Sequence, residues 1–316
     1  MIDKPMDVLH LFPVRKSKKQ KAAFRDAVIG YTRRLGYAPT TEKGMLGSKN
    51  VIVGDPQNAQ YLVTAHYDTC AALPVPNLIT PNNLPAFLAY QLFLTAVILA
   101  LGILLGWLVG VLTQSFDLGY YTGYLALCLS LFLMLFGPAN KHNANDNTSG
   151  VVTLLSIAAT IPENQRSKVC FVLFDLEEAG LIGSASYARR HRGAAENQIV
   201  LNLDCVGDGD EIVLYPTGKL KRNAQKLAVL DKCCGTFGVK SVTVRRKGFA
   251  VYPSDQSNFP YGVGICALCK SKLGSYLGKI HTKRDTVLEE TNVNILRAAL
   301  ISVITCDAVN QKGNVK

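Results

Sequence analysis

The sequence predicts an α/β fold in which a mostly parallel sheet is flanked by helices and interrupted by a hydrophobic helical hairpin. Two observations predict this: short apolar segments with strand character alternate with helical segments, and one long stretch is almost free of charge. The predicted strands include residues 61–65, 169–174 and 199–203, and the predicted helices include residues 151–161, 218–233 and 293–309. Alternating strands and helices are typical of α/β domains with a parallel sheet.

The charge-free stretch predicts two membrane-spanning helices. No Asp, Glu, Lys or Arg lies between Thr69 and Phe116. Residues 86–113 would form a helix of about 42 Å at about 1.5 Å per residue, which exceeds the roughly 30 Å of a bilayer core. Residues 119–137 would form the second helix, and the short turn between them requires an antiparallel hairpin. The alternative is a hairpin buried in the core of a soluble protein.

The hairpin divides the rest of the sequence into two parts that we expect to fold together. Residues 71–85 contain four prolines and predict a stiff, non-helical connector before the first helix. Residues 1–70 and 138–316 together have the size of one α/β domain, and neither part alone carries a complete set of elements. We therefore predict one discontinuous domain (1–70 and 138–316) interrupted by the connector and hairpin (71–137).

The charge distribution predicts the orientation of the protein in the membrane. The chain carries 34 Lys and Arg against 23 Asp and Glu, a net charge of +11, and eleven of these cations lie in residues 1–70. The turn at 114–118 carries no Lys or Arg, so the positive-inside tendency places both termini and the domain in the cytoplasm. We interpret the basic charge as serving the membrane surface rather than nucleic acid. Nine scattered cysteines fit a reducing compartment.

Acidic and histidine side chains follow the predicted strands near their carboxyl ends, where open α/β sheets place their sites. The five motifs that carry them are 65–69 (AHYDT), 145–147 (NDN), 175–180 (DLEEAG), 202–204 (NLD) and 281–285 (HTKRD). Two His, two Asp and one Glu form a nitrogen and oxygen ligand set that suits zinc, cobalt or manganese. Each motif alone has an ordinary alternative, such as a structural histidine, a helix cap or a solvated acidic pair.

In their order and in their residues these motifs resemble those of the di-zinc aminopeptidase family of bacterial leucyl aminopeptidases and glutamate carboxypeptidase II. The resemblance covers about residues 15–70 and 138–310. It implies a mixed, mostly parallel central sheet flanked by helices. It also implies two Zn²⁺ ions as cofactors, with Co²⁺ or Mn²⁺ as possible substitutes.

The resemblance also implies which residues would bind the metal ions. Asp146 would bridge the two ions. His66 and Asp204 would complete one site. Glu178 and His281 would complete the other.

Catalytic and substrate-binding roles follow from the same resemblance. Glu177 would be the general base, and Asp68 would orient the imidazole of His66. The segment 254–259 departs from the family pattern, because Gln256 stands where many relatives have a histidine after Ser-Asp. The candidate substrate-binding residues are Asp255, Gln256, Tyr261 and Tyr276.

The resemblance and the apolar hairpin together imply a membrane-anchored dinuclear zinc exopeptidase. Our preferred interpretation is an aminopeptidase that hydrolyses N-terminal residues from short peptides, so the expected partners are a peptide substrate and the lipid bilayer. A carboxypeptidase or dipeptidase on the same metals is the near alternative, and a glutaminyl cyclase is disfavoured because five ligands indicate two metals. The alternative from another class is a catalytically silent membrane receptor or scaffold, which the intact Glu177 disfavours.

Overall fold

One mixed sheet runs through the computed structural model, which describes residues 1–75, 77–248, 250–272 and 274–305. Within these residues the sheet has ten strands: β1 (Thr40–Lys43), β2 (Lys49–Val53), β3 (Tyr61–His66), β4 (Val169–Phe174), β5 (Ile199–Leu203), β6 (Glu211–Pro216), β7 (Gly235–Phe237), β8 (Lys240–Val244), β9 (Gly262–Ser271) and β10 (Gly274–Tyr276). Their spatial order is β1-β2-β4-β3-β5-β9-β6-β8-β7, with β10 paired to β9.

Parallel pairing is concentrated at the centre of the sheet. β3 lies between β4 and β5, and β5 pairs with β9, all in parallel. The pairs β1–β2, β2–β4, β6–β9, β7–β8 and β9–β10 are antiparallel, and β6–β8 is one further parallel pair near the β7 edge. The predicted mixed α/β fold is therefore confirmed. Three of the five sequence motifs lie at the ends of the parallel strands β3, β4 and β5.

Helices cover both faces of this sheet. The helices of the described residues are α1 (Asp7–Leu11), α2 (Lys18–Arg34), α3 (Leu84–Thr113), α4 (Phe116–Phe136), α5 (Gly150–Thr160), α6 (Ile182–Arg190), α7 (Arg192–Ala195), α8 (Gly218–Lys221), α9 (Ala224–Val229) and α10 (Glu290–Thr305). One apolar cluster joins α2, α5 and α10 to one face of the sheet, and a second joins α6 to the other face.

The two clusters follow from the alternation of side chains along the strands. In β4, Phe171 and Leu173 enter the cluster with α2, α5 and α10, whereas Val172 and Phe174 enter the cluster with α6. A strand that is buried on both faces reads as a continuous apolar run. This explains why β4 was predicted with its observed bounds.

Two predicted helices differ from the observed ones. Residues 218–233 form α8, α9 and a 3₁₀ turn rather than one helix, because the side chain of Asn223 accepts the N–H of Lys226 and starts a new helix there. The last helix begins at Glu290 and is described to Thr305, so the predicted residues 306–309 lie outside the described part of the chain.

The inserted segment forms the predicted antiparallel hairpin of α3 and α4. Side chains cap both helices: Asn83 accepts the N–H of Ala86, and Ser115 accepts the N–H of Leu118. The two backbones touch, since a Cβ atom added at Gly106 would lie 2.7 Å from the carbonyl oxygen of Gly119. Glycine is therefore required at this crossing.

The hairpin is apolar and projects from the domain. Mean hydropathy reaches 2.7 in α3 and 1.6 in α4, and only 11% of each most apolar stretch is buried. The hairpin is thus not the buried core element that the sequence left as an alternative. By length and composition, both helices are able to cross a membrane.

Candidate active site

The candidate site lies where the central parallel strands end. β3 ends at His66, Asp175 follows β4, and Asp204 follows β5. Because β3 pairs in parallel with both β4 and β5, these ends reach the same edge of the sheet. Glu177 and Glu178 lie in the turn between β4 and α6. Motifs far apart in sequence therefore meet at this edge.

Asp146 enters the site from the segment just before α5. The carboxylate of Asp285 accepts the N–H groups of Asn145 at 2.7 Å and Asp146 at 3.0 Å. On the other side, the amide of Asn147 donates to the carbonyl of Leu203 at 2.9 Å. These bonds fix the backbone that carries the Asp146 side chain.

The two carboxylate oxygens of Asp146 face two different imidazoles. Oδ1 lies 3.2 Å from Nε2 of His66, and Oδ2 lies 3.0 Å from Nε2 of His281. A second carboxylate approaches each imidazole: Asp204 at 3.6 Å from His66 and Glu178 at 3.4 Å from His281. Ligand atoms about 2.0–2.1 Å from a tetrahedral zinc ion lie about 3.4 Å apart, so each imidazole lies at a distance that suits a zinc site from two carboxylates.

Asp68 supports the site in a way that the sequence did not predict. The Nδ1 atom of His66 lies 3.2 Å from the backbone carbonyl of Asp68 and 3.7 Å from its carboxylate. The carboxylate instead accepts the N–H groups of Glu177 at 3.1 Å and Glu178 at 3.3 Å. The Asp68 carbonyl can thus orient the imidazole with Nε2 directed at Asp146, while the side chain holds the two glutamates in place.

The site buries more carboxyl groups than imidazoles. Burial raises the pKa of Glu178 to about 8, and the nearby Asp146 adds to this rise against the opposing effect of His281. Burial also raises the pKa of Glu177 well above its usual value. Burial alone would lower the pKa of His281, but Glu178 and Asp146 raise it to about 9. Carboxylates crowded in this way favour a bound cation.

The donor atoms present fit metal ions. Several groups of three donor atoms have members within 4.8 Å of one another, including His66, Asp146 and Glu178. Among the described residues, Oε1 of Glu178 is buried without a hydrogen-bond partner, which a cation would satisfy. Imidazole nitrogens and carboxylate oxygens are ligands that zinc accepts.

The sequence analysis missed four residues around the site. Asp285 holds Asp146, and its place in the motif 281–285 was the available signal. Cys70 lies in a donor group with Glu178 and His281, and Cys205 lies 3.2 Å from Asp204; both cysteines closely follow a motif residue. The fourth, Arg15, is fully buried and donates to Thr148 just before α5, and burial lowers its pKa to about 10. No motif points to Arg15.

The structure separates the four candidate substrate-binding residues. Asp255 is buried beside the site, and burial raises its pKa to about 7. Its carboxylate in turn raises the pKa of Glu177. Tyr276 is half-buried in β10, five residues before His281 in the chain. For both residues substrate binding stays a prediction.

The structure gives the other two candidates, Gln256 and Tyr261, contacts within the fold that the sequence did not predict. The amide of Gln256 donates to the carbonyl of Tyr252 at 2.7 Å and accepts from Asn202 at 3.0 Å, so its polar atoms are used within the fold. Tyr261 lies at the amino end of β9, at the edge of the sheet opposite the site. Its ring is contacted by the ammonium groups of Lys219 and Lys226 instead.

Comparisons with known structures place the fold among zinc peptidases and cyclases. The LapA aminopeptidase of Legionella pneumophila aligns with a TM-score of 0.56 and 14% identity over 96% of this chain and 70% of LapA. A Zn-dependent exopeptidase of Parabacteroides distasonis aligns with a TM-score of 0.57 and 15% identity over 93% of this chain and 92% of its own. A glutaminyl cyclase of Porphyromonas gingivalis aligns with a TM-score of 0.55 and 17% identity over the same shares. At these identities the likeness is one of fold.

Family membership comes from the sequence itself. No curated protein matches the chain in sequence. The profile of peptidase family M28 matches residues 132–303, more than half of the 316-residue chain, and the match includes Asp146, Glu177, Glu178, Asp204 and His281. The chain therefore belongs to peptidase family M28 and is a metallo-exopeptidase, as the order of its motifs predicted.

Proposed function

We propose that the chain is a membrane-anchored dinuclear zinc aminopeptidase. The observation that carries the two-metal proposal is the Asp146 carboxylate, whose oxygens lie 3.2 Å and 3.0 Å from two different imidazoles. In this proposal Asp146 is shared between two zinc ions. His66 and Asp204 hold one ion, and Glu178 and His281 hold the other.

The residues divide the chemistry of peptide hydrolysis between them. Held by these five residues, two zinc ions would supply polarisation of the scissile carbonyl and a lowered pKa of the attacking water. Glu177 lies 3.9 Å from His66 and is left out of the five ligands, so its carboxylate is available to take a proton from that water. The same side chain then donates the proton to the leaving amine. The carboxylate of Asp68 accepts the backbone N–H of Glu177 and so keeps Glu177 in position.

The choice of an aminopeptidase over a carboxypeptidase or dipeptidase rests on fold likeness, and the five-ligand set argues only against a glutaminyl cyclase and a silent scaffold. LapA, which has the same fold, is described as an aminopeptidase. A carboxypeptidase or dipeptidase would use the same metal ions and Glu177. A glutaminyl cyclase shares the fold as well, and a silent scaffold would need neither the ligands nor the base.

One peptide in four versions distinguishes these activities. The zinc-loaded protein is assayed with both ends free, with an acetylated N-terminus, with an amidated C-terminus and with both modifications. An aminopeptidase releases the first residue only where the N-terminus is free and tolerates the amide. Cleavage that requires a free C-terminus, cyclisation of an N-terminal glutamine without peptide cleavage, or no turnover at all would each contradict the proposal.

Substitutions of the neighbouring Glu177 and Glu178 are expected to impair the enzyme in different ways. Glu177→Gln should lower kcat by about 10² to 10⁴ while zinc content stays at the wild-type level, because a general base acts without binding the metal. Glu178→Ala should lose zinc first, since it removes a ligand. Turnover and metal content are measured together, with Glu163→Gln at an exposed position as the control. A Glu177→Gln variant that keeps more than about a tenth of kcat would refute its role as base.

Membrane anchoring is proposed for the hairpin of α3 and α4. Its apolar side chains face outward; Phe116, for example, is 84% exposed. Exposed apolar surface of this extent requires a lipid or protein environment. The excess of Lys and Arg before the hairpin supports a cytoplasmic domain, as the positive-inside tendency predicts.

The base of the hairpin is joined to the proposed metal site. The N–H of Ala72 donates to the carbonyl of Pro138 at 2.8 Å, which closes the base. The next residue, Leu73, donates its N–H to the carbonyl of His281, also at 2.8 Å. If the hairpin spans the bilayer, the site lies close to its surface. We infer that the enzyme serves apolar peptides released at the membrane.

Replacing residues 78–137 with a short Gly/Ser linker tests this membrane role. We expect a soluble enzyme that keeps its kcat/KM on polar peptides, which also reports correct folding, and selectively loses activity on hydrophobic peptides in liposomes. Loss occurs because the site no longer sits where such peptides concentrate. Equal activity of the two proteins across the peptide panel, with and without liposomes, would leave the hairpin as an anchor only.

A further inference from the structure

Six Lys and Arg residues that are not fully buried lie in three segments that meet near the base of the hairpin, where α4 ends and the chain re-enters the domain. They come from three segments, 13–20, 138–145 and 281–284, and we call them the basic collar. The collar consists of Lys16, Lys18, Lys19, Lys141, Lys283 and Arg284. All except the half-buried Lys16 are exposed.

Direct hydrogen bonds hold the three segments together. The amide of Asn143 donates to the carbonyl of Pro13 at 2.9 Å, which joins the second segment to the first. The amide of Asn140 donates to the carbonyl of Thr282 at 3.0 Å, which joins the second segment to the third. The three segments that carry the six charges are therefore neighbours in space although they are far apart in sequence.

The collar also contacts the end of the hairpin itself. The ammonium group of Lys16 donates to the carbonyl of Leu135, in the last turn of α4, at 2.9 Å. A cation is favourable there because the last carbonyls of a helix carry partial negative charge. The 21 residues of α4 span about 31 Å at about 1.5 Å per residue, close to the roughly 30 Å of a bilayer core. If the hairpin spans the bilayer, Lys16 at the end of α4 thus lies where lipid headgroups begin.

The charge of the collar is not neutralised by the protein. The three segments contain no Asp or Glu, and the Asp146 and Asp285 that directly follow two of them are buried in the site. Across the part of the chain that the structure describes, no collar cation makes an ion pair, whereas other surface cations do: Lys279 with Asp208, and Arg192 with Glu196. An unpaired cluster of this kind at a bilayer surface attracts anionic lipids.

We propose that the basic collar binds the headgroups of anionic phospholipids and holds the domain against the membrane surface. The inference rests on the proposed insertion of the hairpin. It adds that the domain itself contacts the membrane surface, and that the lipid in this contact must be negatively charged. Since the third segment begins at His281, lipid binding there keeps the proposed metal site at the surface.

Hydrogen exchange of the full-length protein in nanodiscs tests the collar. One set of discs contains phosphatidylcholine alone, and the other contains phosphatidylcholine with one third phosphatidylserine. We expect amide exchange in residues 13–20 and 138–145 to slow by at least about fivefold in the anionic discs, and high salt to remove the difference. A variant in which Gln replaces Lys18, Lys19, Lys141 and Lys283 should show no slowing of exchange in the anionic discs.

A second variant controls for net charge. It replaces four exposed cations outside the three segments, Lys43, Arg189, Lys232 and Lys247, by Gln. This variant should keep the lipid-dependent slowing. Equal exchange of the wild-type protein in both kinds of disc, or loss of the slowing in the control variant too, would overturn the collar while leaving the anchor intact. A protein that does not enter either kind of disc would overturn the anchor and the collar together.

Discussion

The shared carboxylate of Asp146 is the constraint on which the rest of the site depends. Its two oxygens can serve two imidazoles only if the backbone is fixed on both sides, and Asp285 and Asn147 provide that fixation. The two imidazoles come from distant parts of the sequence, since His66 ends β3 and His281 precedes α10. The central sheet is the frame that brings them together.

Charge is the second part of the same constraint. Asp146, Asp204, Glu177 and Glu178 are packed around two imidazoles in a site where burial alone raises the pKa of both glutamates. Like charges at such distances are tolerated when a cation lies between them. Zinc ions would offset this repulsion, so in our account metal binding contributes to the stability of the site as well as to its chemistry.

The sequence predicted the central strands β3, β4 and β5 and the proposed ligand residues because both predictions depend on local patterns. An apolar run that ends in His66 or shortly before Glu177 identifies a strand end at the site. Contacts between distant side chains leave no such pattern. The bonds from Asp68 to the backbone of the glutamates could not be predicted. Nor could the internal bonding of Gln256 or the position of Tyr261 at the opposite edge, because each depends on how the sheet is packed.

We propose that the Asp146 carboxylate would bind both zinc ions. Zinc-edge X-ray absorption of the purified protein, titrated with zinc, tests it most directly, because it reports both the ligands and any neighbouring metal. Our account predicts saturation at two equivalents, nitrogen and oxygen ligands at about 2.0–2.1 Å, and metal–metal scattering at about 3.5–4 Å. Saturation at one equivalent without metal–metal scattering would contradict it.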